Sequence, residues 1–262
     1  MDQNRRKLAN RELLMLRYEE KELEQAALKA RERPVRVLLE EKIPEKAYTG
    51  LESAFCTGFS LVFQQGRKII EKTYRKEEMQ RQHALRDWKV KTKGSRRDLR
   101  QMDLSAQKSD GWNMAATTAE GIALGALGVG LPDIVLFLTT LLRGIYESAI
   151  HYGIGYETRE EQYLILKMMS ASLQTGRNWV WENRSVDKYL EAEEQEIPEA
   201  LFQEQLKKTA SAFAVDMLLL KFIQGMPVVG ILGGAANPLY YNKVMRYVGL
   251  KYRKRYLLKQ IK

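Results

Sequence analysis

The sequence predicts an all-α fold, a multi-helix bundle with two glycine-rich helical hairpins. Apolar residues recur every three or four positions along most of the chain, as they do on the buried face of a helix. No stretch shows the alternation of apolar and polar residues that is typical of a half-buried strand. Glycine and proline, which interrupt helices, separate the periodic segments. The expected structure is therefore a set of helices packed around an apolar core.

Length and composition indicate a soluble domain rather than an integral membrane protein. The 262 residues are 45% hydrophobic, which suffices for a core, and 29% charged, which argues against a membrane-embedded bundle. Cys56 is the only cysteine, which rules out a disulfide within the chain and suits a reducing compartment. The first residues are charged and lack the apolar centre of a signal peptide. We expect a cytoplasmic protein.

The first predicted helix covers residues 5–33 and defines a charged N-terminal segment, residues 1–33. Its leucines and alanines follow a heptad-like stripe. This pattern favours docking on the core, with pairing to a partner helix as the alternative. Pro34 ends the helix, and the main domain is predicted to span residues 34–262.

Two contrasting stretches follow. An apolar stripe between Leu51 and Tyr74 predicts a long buried helix, within which Cys56 is a packed thiol because no histidine lies near it in the sequence. Residues 75–110 have mixed charges at helical spacing, which predicts exposed helix with a break at Gly94.

The densest cluster of small and apolar residues begins at Ala116 and organises the predicted core. Each glycine in a helix costs about 0.5–1 kcal/mol relative to alanine, so close helix packing is the better explanation for four of them. Pro132 starts a second helix, where Asp133 complements the positive N-terminus, and Gly153 ends it. The four glycines are Gly121, Gly125, Gly128 and Gly130.

The C-terminal half shows a weak repeat of this order of glycine-rich segment, proline and helix. Thr158 and Glu161 are predicted to form a capping box that starts the next helix. The acidic stretch 184–198 is predicted to connect elements over the surface, with helix in part of it as an alternative. A helix over residues 201–224 leads to another glycine-rich apolar segment, after which a last helix starts at Leu239. The glycines of this second hairpin are Gly230, Gly233 and Gly234.

One set of polar residues has the chemistry of a catalytic or metal site. Glu147 and His151 lie four residues apart on one predicted helix, with Asp133 at its start and Glu120 before it. A metal-assisted hydrolase is therefore one alternative. However, the chain has no HExxH pattern, and Arg143 lies four residues from Glu147, which indicates a helix-surface ion pair. The glycine clusters lack a P-loop lysine, so no cofactor is expected.

Positive charge is concentrated in two segments of a chain whose net charge is +10. Residues 75–108 contain eleven Lys/Arg and five Asp/Glu, and residues 243–262 contain eight Lys/Arg and no acid. Tyrosines interleave with the cations of the last segment. Such a pattern fits an anionic membrane surface, nucleic-acid phosphates, or a core helix with solvated cations. The predicted contact residues are Lys243, Arg246, Lys251, Arg253, Lys254, Arg255 and Lys259.

Two motifs resemble the EcsC protein family. The first is E-G-x(3)-G-x(2)-G-x-G-L-P-D-I from Glu120 to Ile134, followed by an apolar helix and Y-G. The second is G-M-P-V-V-G-x(2)-G-G-x(2)-N-x(2)-Y from Gly225 to Tyr240. The resemblance covers roughly residues 34–259. It implies no particular reaction, but the family's namesake is encoded beside two components of an ABC transporter.

The charges and the resemblance together predict a non-enzymatic accessory protein at the cytoplasmic face of the membrane. Its expected partners are anionic lipid, or a membrane protein such as an ABC transporter, reached through the basic C-terminal helix. The small residues of the two hairpins provide core packing or an apolar groove for a lipid ligand, with partial insertion into the membrane as a further alternative. Nucleic-acid binding is the weaker alternative, because no groove-reading motif accompanies the basic segments.

Overall fold

The computed structural model describes residues 2–30, 45–107, 132–192, 196–223 and 236–261. Every regular element in these ranges is helical, which confirms the predicted all-α fold. In chain order, the α-helices are α1 (Asp2–Lys29), α2 (Glu45–Leu61), α3 (Arg67–Glu71), α4 (Lys76–Lys93), α5 (Arg96–Gln107), α6 (Pro132–His151), α7 (Arg159–Leu173), α8 (Gly176–Glu191), α9 (Glu199–Ile223) and α10 (Ala236–Ile261). A π-helical turn, Val62–Gly66, joins α2 to α3.

Helix α6 lies at the centre of the bundle. It packs against α2, α4, α5 and α10. By length and composition alone, its segment Ile134–His151 would suffice to cross a membrane, but 94% of that segment is buried inside the bundle. Core helices of soluble proteins pass the same test, so its apolar character follows from its central position.

Phenylalanines from three helices form the middle of the core. Phe213 of α9 is fully buried, and its ring centroid lies 5.3 Å from that of Phe55 and 6.1 Å from that of Phe59, both on α2. Phe137 of α6 meets the same ring edge-on at 5.8 Å. Aromatic pairs at such separations contribute about 0.5–1.5 kcal/mol beyond their burial. A single residue of α9 thus joins α2 to α6.

The predicted signals at the end of α6 and the start of α7 are present. Thr158 Oγ1 accepts a hydrogen bond from the backbone N–H of Glu161 at 3.2 Å, so Thr158 caps the start of α7 as predicted. The side chain of Glu161 does not complete the capping box, because it bonds to Tyr252 and Arg255 of α10. Gly153 has a φ of +69°, a conformation that favours glycine. A Cβ at this position would also lie 2.2 Å from Nε2 of His83. The turn after α6 therefore requires glycine for two independent reasons.

Part of the acidic stretch predicted to connect elements over the surface is helical, as that prediction allowed. Helix α8 continues to Glu191, and its inner face buries Trp179, Glu182 and Val186 at helical spacing. Lys208 of α9 compensates the charge of the buried Glu182, with Nζ 2.5 Å from Oε1. This ion pair explains how an acidic residue can lie on the inner face of the helix.

Other predicted features are confirmed or lie outside the described residues. Helix α6 begins at Pro132, α4 ends before Gly94, and Leu16 is fully buried, so α1 docks on the core. The predicted boundary at residue 33 lies outside the described ranges. So do the residues of both glycine-rich arms and one member of the polar set, which are Gly121, Gly125, Gly128, Gly130, Gly230, Gly233, Gly234 and Glu120.

Candidate functional site

Helix α10 carries the cations predicted as a contact surface, and most of them form ion pairs inside the protein. Lys251 is fully buried, with Nζ 2.6 Å from Oδ1 of Asp187 on α8 and also paired with Glu20 on α1. Nζ of Lys254 lies 3.0 Å from Asp187 and 3.1 Å from Glu20. Burial favours a lower pKa for Lys254, but the two carboxylates outweigh it and the pKa is raised. Two lysines and two acids thus join three helices.

Arg253 forms a second cluster of this kind. Its Nη2 lies 2.8 Å from Glu12 and its Nη1 lies 3.2 Å from Glu19, both on α1. Its Nε lies 3.2 Å from Asp103 on α5, which also accepts a hydrogen bond from Tyr152 Oη at 2.9 Å. Burial raises the pKa of Asp103 to about 6, against the opposing effects of Arg253 and Tyr152. The cluster attaches α10 to α1 and α5.

The remaining predicted contact residues differ in exposure. Arg255 pairs with Glu161 of α7, and burial raises the pKa of this carboxyl despite the guanidinium. Nζ of Lys243 lies 3.8 Å from Asp216 of α9. The cations of α10 that are exposed to solvent are Arg246 and Lys259. The role of these seven residues in membrane contact stays a prediction.

The tyrosines that interleave with these cations also form bonds within the bundle. Each hydroxyl donates to a side chain on a different helix, on α8, α7 and α4 in turn. The pairs are Tyr247–Asn183 at 2.8 Å, Tyr252–Glu161 at 2.9 Å and Tyr256–Asp87 at 2.9 Å. The pattern of aromatic and cationic residues in α10 therefore connects this helix to much of the fold.

The polar set predicted on α6 is partly engaged elsewhere. Arg143 Nε donates to Oε1 of Glu147 at 2.9 Å, an ion pair that is buried rather than on the surface. The backbone oxygen of His151 accepts a hydrogen bond from Nδ1 of His83 at 2.9 Å. Across the described ranges, no group of three or more His, Cys, Asp or Glu side chains is arranged to hold a metal ion. Outside the described residues lie Glu120 and the side chain of Asp133.

Replacing His151 by glutamine should remove part of the pH dependence of folding. Burial, with smaller effects from Arg86 and His83, lowers the pKa of His151 from 6.5 to about 4. Between these values the unfolded chain binds a proton that the folded protein does not, so the free energy of unfolding falls as the pH drops. The effect is about 2–3 kcal/mol across this window. Urea unfolding at neutral and acidic pH should show a smaller loss for His151→Gln than for the wild type.

Asp103 makes the opposite contribution to the pH dependence of stability. Because folding raises its pKa to about 6, its protonation stabilises the folded protein as the pH falls below that value. This opposite contribution is common to the wild type and His151→Gln, so it cancels in their comparison. An identical pH dependence for both proteins would show that burial does not shift the histidine.

Helices α4 and α5 expose a strongly positive surface. Over residues 75–106, seven Lys/Arg side chains and one acidic side chain are exposed. The two helices lie side by side, with Arg86 bonded to Ser105 at 2.9 Å and Lys89 3.5 Å from Asp98. Exposed residues at helical spacing are Arg81, Leu85 and Trp88 on α4 and Arg97, Arg100 and Leu104 on α5. We call these six residues, together with Lys93, the α4–α5 surface.

Local sequence positions this pair of helices. Ser95 Oγ accepts a hydrogen bond from the backbone N–H of Asp98 at 3.3 Å, which caps the start of α5 directly after the turn. The inner faces bury Val90, Leu99 and Met102 in the core. With those residues facing inward, the charged residues between them face solvent.

Large apolar side chains lie among the cations of the α4–α5 surface. Leu85, Trp88 and Leu104 are 56%, 55% and 46% exposed. Nζ of Lys93 lies 5.9 Å from the ring centroid of Trp88. Within the described part of the chain, Arg97 and Arg100 form no ion pair. An indole and two leucines exposed on the same two helices as these arginines provide both the apolar and the electrostatic components of binding to an anionic interface.

The comparison with family models decides which family this fold represents. The model of the EcsC protein family matches residues 7–257, nearly the whole chain. The chain belongs to the EcsC protein family. The match begins within α1, so the EcsC region includes most of the helix that precedes the two motifs. No curated protein and no solved structure matches the chain.

None of the residues of the α4–α5 surface was among the contact residues predicted from the sequence. The total charge of residues 75–108 is visible in the sequence, but it does not show which cations find partners. Local spacing gives part of the answer, since Asp87 and Lys91 pair four residues apart at 2.6 Å. The acids that pair with Lys251 lie 64 and 231 residues away, and no local pattern reveals them.

Proposed function

We propose that this EcsC family member is a non-enzymatic accessory protein that binds the anionic cytoplasmic face of a membrane through the α4–α5 surface. The observation that carries the proposal is Trp88, which is exposed on the same pair of helices as three cations without an ion pair among the described residues. These cations are Lys93, Arg97 and Arg100. Each Lys or Arg near an anionic membrane contributes about 1 kcal/mol of binding, and an indole favours the membrane–water interface. A membrane-protein partner, such as an ABC transporter subunit, would be met at the same boundary.

The ion pairs of α10 support this choice of surface. A lysine that already pairs with two carboxylates, as Lys251 and Lys254 do, has little net charge to offer a lipid headgroup. Exposing it would also take a partner from the partly buried acids Asp187 and Glu20. Arg97 and Arg100 carry neither cost, because they are already exposed.

The non-enzymatic part of the proposal is supported by the buried polar pair on α6. The carboxylate of Glu147 is bound by Arg143, so it is held as an ion-pair partner rather than presented to a substrate. His151 is buried, and its lowered pKa keeps the ring neutral at physiological pH.

Reversing two charges of the α4–α5 surface should abolish most binding to anionic vesicles. We expect the double variant Arg97→Glu/Arg100→Glu to bind phosphatidylglycerol-containing vesicles at least ~30-fold more weakly, because two favourable charges are lost and two repulsive charges are gained. Trp88→Ala should weaken binding as well, through loss of the interfacial anchor. Vesicle flotation, with pure phosphatidylcholine vesicles for comparison, measures both effects.

Matched variants distinguish this surface from charge in general. Arg177→Glu/Arg184→Glu makes the same charge change on the exposed side of α8, and Trp181→Ala removes another exposed tryptophan with a lysine 5.3 Å from its ring centroid. These controls should bind as the wild type does. Equal losses in control and test variants, or binding that ignores phosphatidylglycerol, would contradict the proposal. If only the variant Arg246→Glu/Lys259→Glu loses vesicle binding, the membrane contact lies on α10 instead.

A further inference from the structure

A glycine in the middle of α10 has no packing explanation. Gly249 lies well inside the 26-residue helix, where glycine costs about 0.5–1 kcal/mol relative to alanine. A Cβ at Gly249 would meet no atom of the described residues within 4 Å. By contrast, a Cβ at Gly144 of α6 would lie 2.4 Å from Tyr241 Oη, so that glycine permits close helix contact. The space beside Gly249 is therefore kept open without serving the packing of the bundle.

This space belongs to a cavity of about 450 Å³ between α1, α5 and α10. Four of its lining residues, Asn242, Arg246, Gly249 and Arg253, share one face of α10, at intervals of four, three and four. Cavities of about 300–1,000 Å³ are typical of small-molecule sites in proteins. The volume thus suits a small ligand rather than a few water molecules.

The lining combines an apolar wall with one uncompensated cation. Apolar surface comes from Ala106, Tyr152, Tyr241, Met245 and Leu250. Of the charged residues that line the cavity, Glu19 and Arg253 pair with each other at 3.2 Å. Arg246 is exposed and makes no ion pair or hydrogen bond with any described residue. Arg253 is also held by Glu12 and Asp103, so Arg246 is the lining cation that has no carboxylate partner among the described residues.

We propose that this cavity binds an amphiphile with one acidic headgroup and an apolar chain, with Arg246 holding the headgroup and the space at Gly249 admitting the chain. The planar guanidinium has the geometry to bind a carboxylate or a phosphate through two parallel hydrogen bonds. The apolar chain gains from leaving water against Met245 and Leu250. The ligand is thus a fatty acid or an alkyl phosphate. The proposal does not depend on membrane binding, because it concerns a dissolved ligand and a different face of the bundle.

A larger side chain in place of Gly249 tests whether the ligand binds in this cavity. In solution without vesicles, the fluorescence of a dansylated undecanoic acid should report saturable binding to the full chain. Gly249→Leu places a side chain into the open space and should weaken this binding at least tenfold. Gly50→Leu is the matched control, since Gly50 of α2 also has no atom within 4 Å of its Cβ position and does not line the cavity. Unchanged affinity in Gly249→Leu, or no saturable binding to the wild type, would overturn the site.

Competition tests the chemistry of the headgroup. Dodecanoate and dodecyl phosphate should each displace the probe at least tenfold better than dodecanol, and the better of the two identifies the acidic group. Arg246→Met should remove this preference, and because the residue is exposed, the variant should keep the wild-type melting temperature. If dodecanol competes as well as both anions, or if Arg246→Met retains the preference, then Arg246 does not bind a headgroup.

Discussion

Substitution of Lys251 by methionine is expected to lower the free energy of unfolding by about 3–5 kcal/mol. The methionine fills nearly the same volume, but Asp187 and Glu20 keep their negative charges with only Lys254 to compensate them. Removing one partner of a buried ion pair is costly because the remaining charge has lost its solvation. Urea unfolding followed by circular dichroism measures the change.

Two further variants show whether the loss comes from charge. Lys188→Met removes an exposed lysine next to Asp187 on α8 and should change stability by less than about 0.5 kcal/mol. Adding Glu20→Gln to Lys251→Met leaves one lysine, Lys254, for one acid, Asp187. This second substitution should therefore recover part of the lost stability. If the double variant is less stable than Lys251→Met by the full cost of Glu20→Gln alone, the two residues are not coupled.

Substitution of Phe213 by alanine should cost a similar amount for a different reason. The ring contacts Phe55 and Phe59 of α2 and Phe137 of α6, so its removal leaves a cavity where three helices meet. Phe→Ala changes in cores cost about 3–5 kcal/mol. For a chain of this size, the melting temperature should fall by roughly 6–20 °C.

Leu201→Ala on the same helix is the control for Phe213→Ala. Leu201 is 38% exposed, so its truncation leaves no enclosed cavity and should shift the melting temperature by only a few degrees. Phe213→Leu, which keeps most of the apolar volume, should fall between the two. A loss for Phe213→Ala no larger than for Leu201→Ala would show that the aromatic cluster contributes little.

Features encoded by short-range patterns could be predicted from the sequence. The N-cap at Thr158, the helix start at Pro132 and the break at Gly94 each depend on the conformational preference of a residue and its near neighbours. The family assignment likewise rests on contiguous motifs, and the match over residues 7–257 confirms it. The all-α class follows from periodicity for the same reason.

Which cations form ion pairs could not be predicted, because the pairing depends on contacts across the whole fold. The sequence shows that residues 243–262 contain only positive charges, but Arg253 meets Glu12 across 241 residues. The same limitation applies to the cavity at Gly249, since the walls that face this glycine come from α1 and α5. The burial of Glu182 could not be predicted for a related reason, since its partner Lys208 belongs to another helix.

The bonds between α1 and α10 also have a consequence for how the chain folds. Glu19 and Glu20 meet their cations across 231 to 234 residues, so a growing polypeptide presents these acids long before their partners are synthesised. Until then, α1 docks through its apolar stripe and through the ion pair of Glu12 with Arg96 of α5. Contacts of such large sequence separation form late and slow the folding reaction. We therefore expect the docking of α10 to be the step that fixes α1 in its final position.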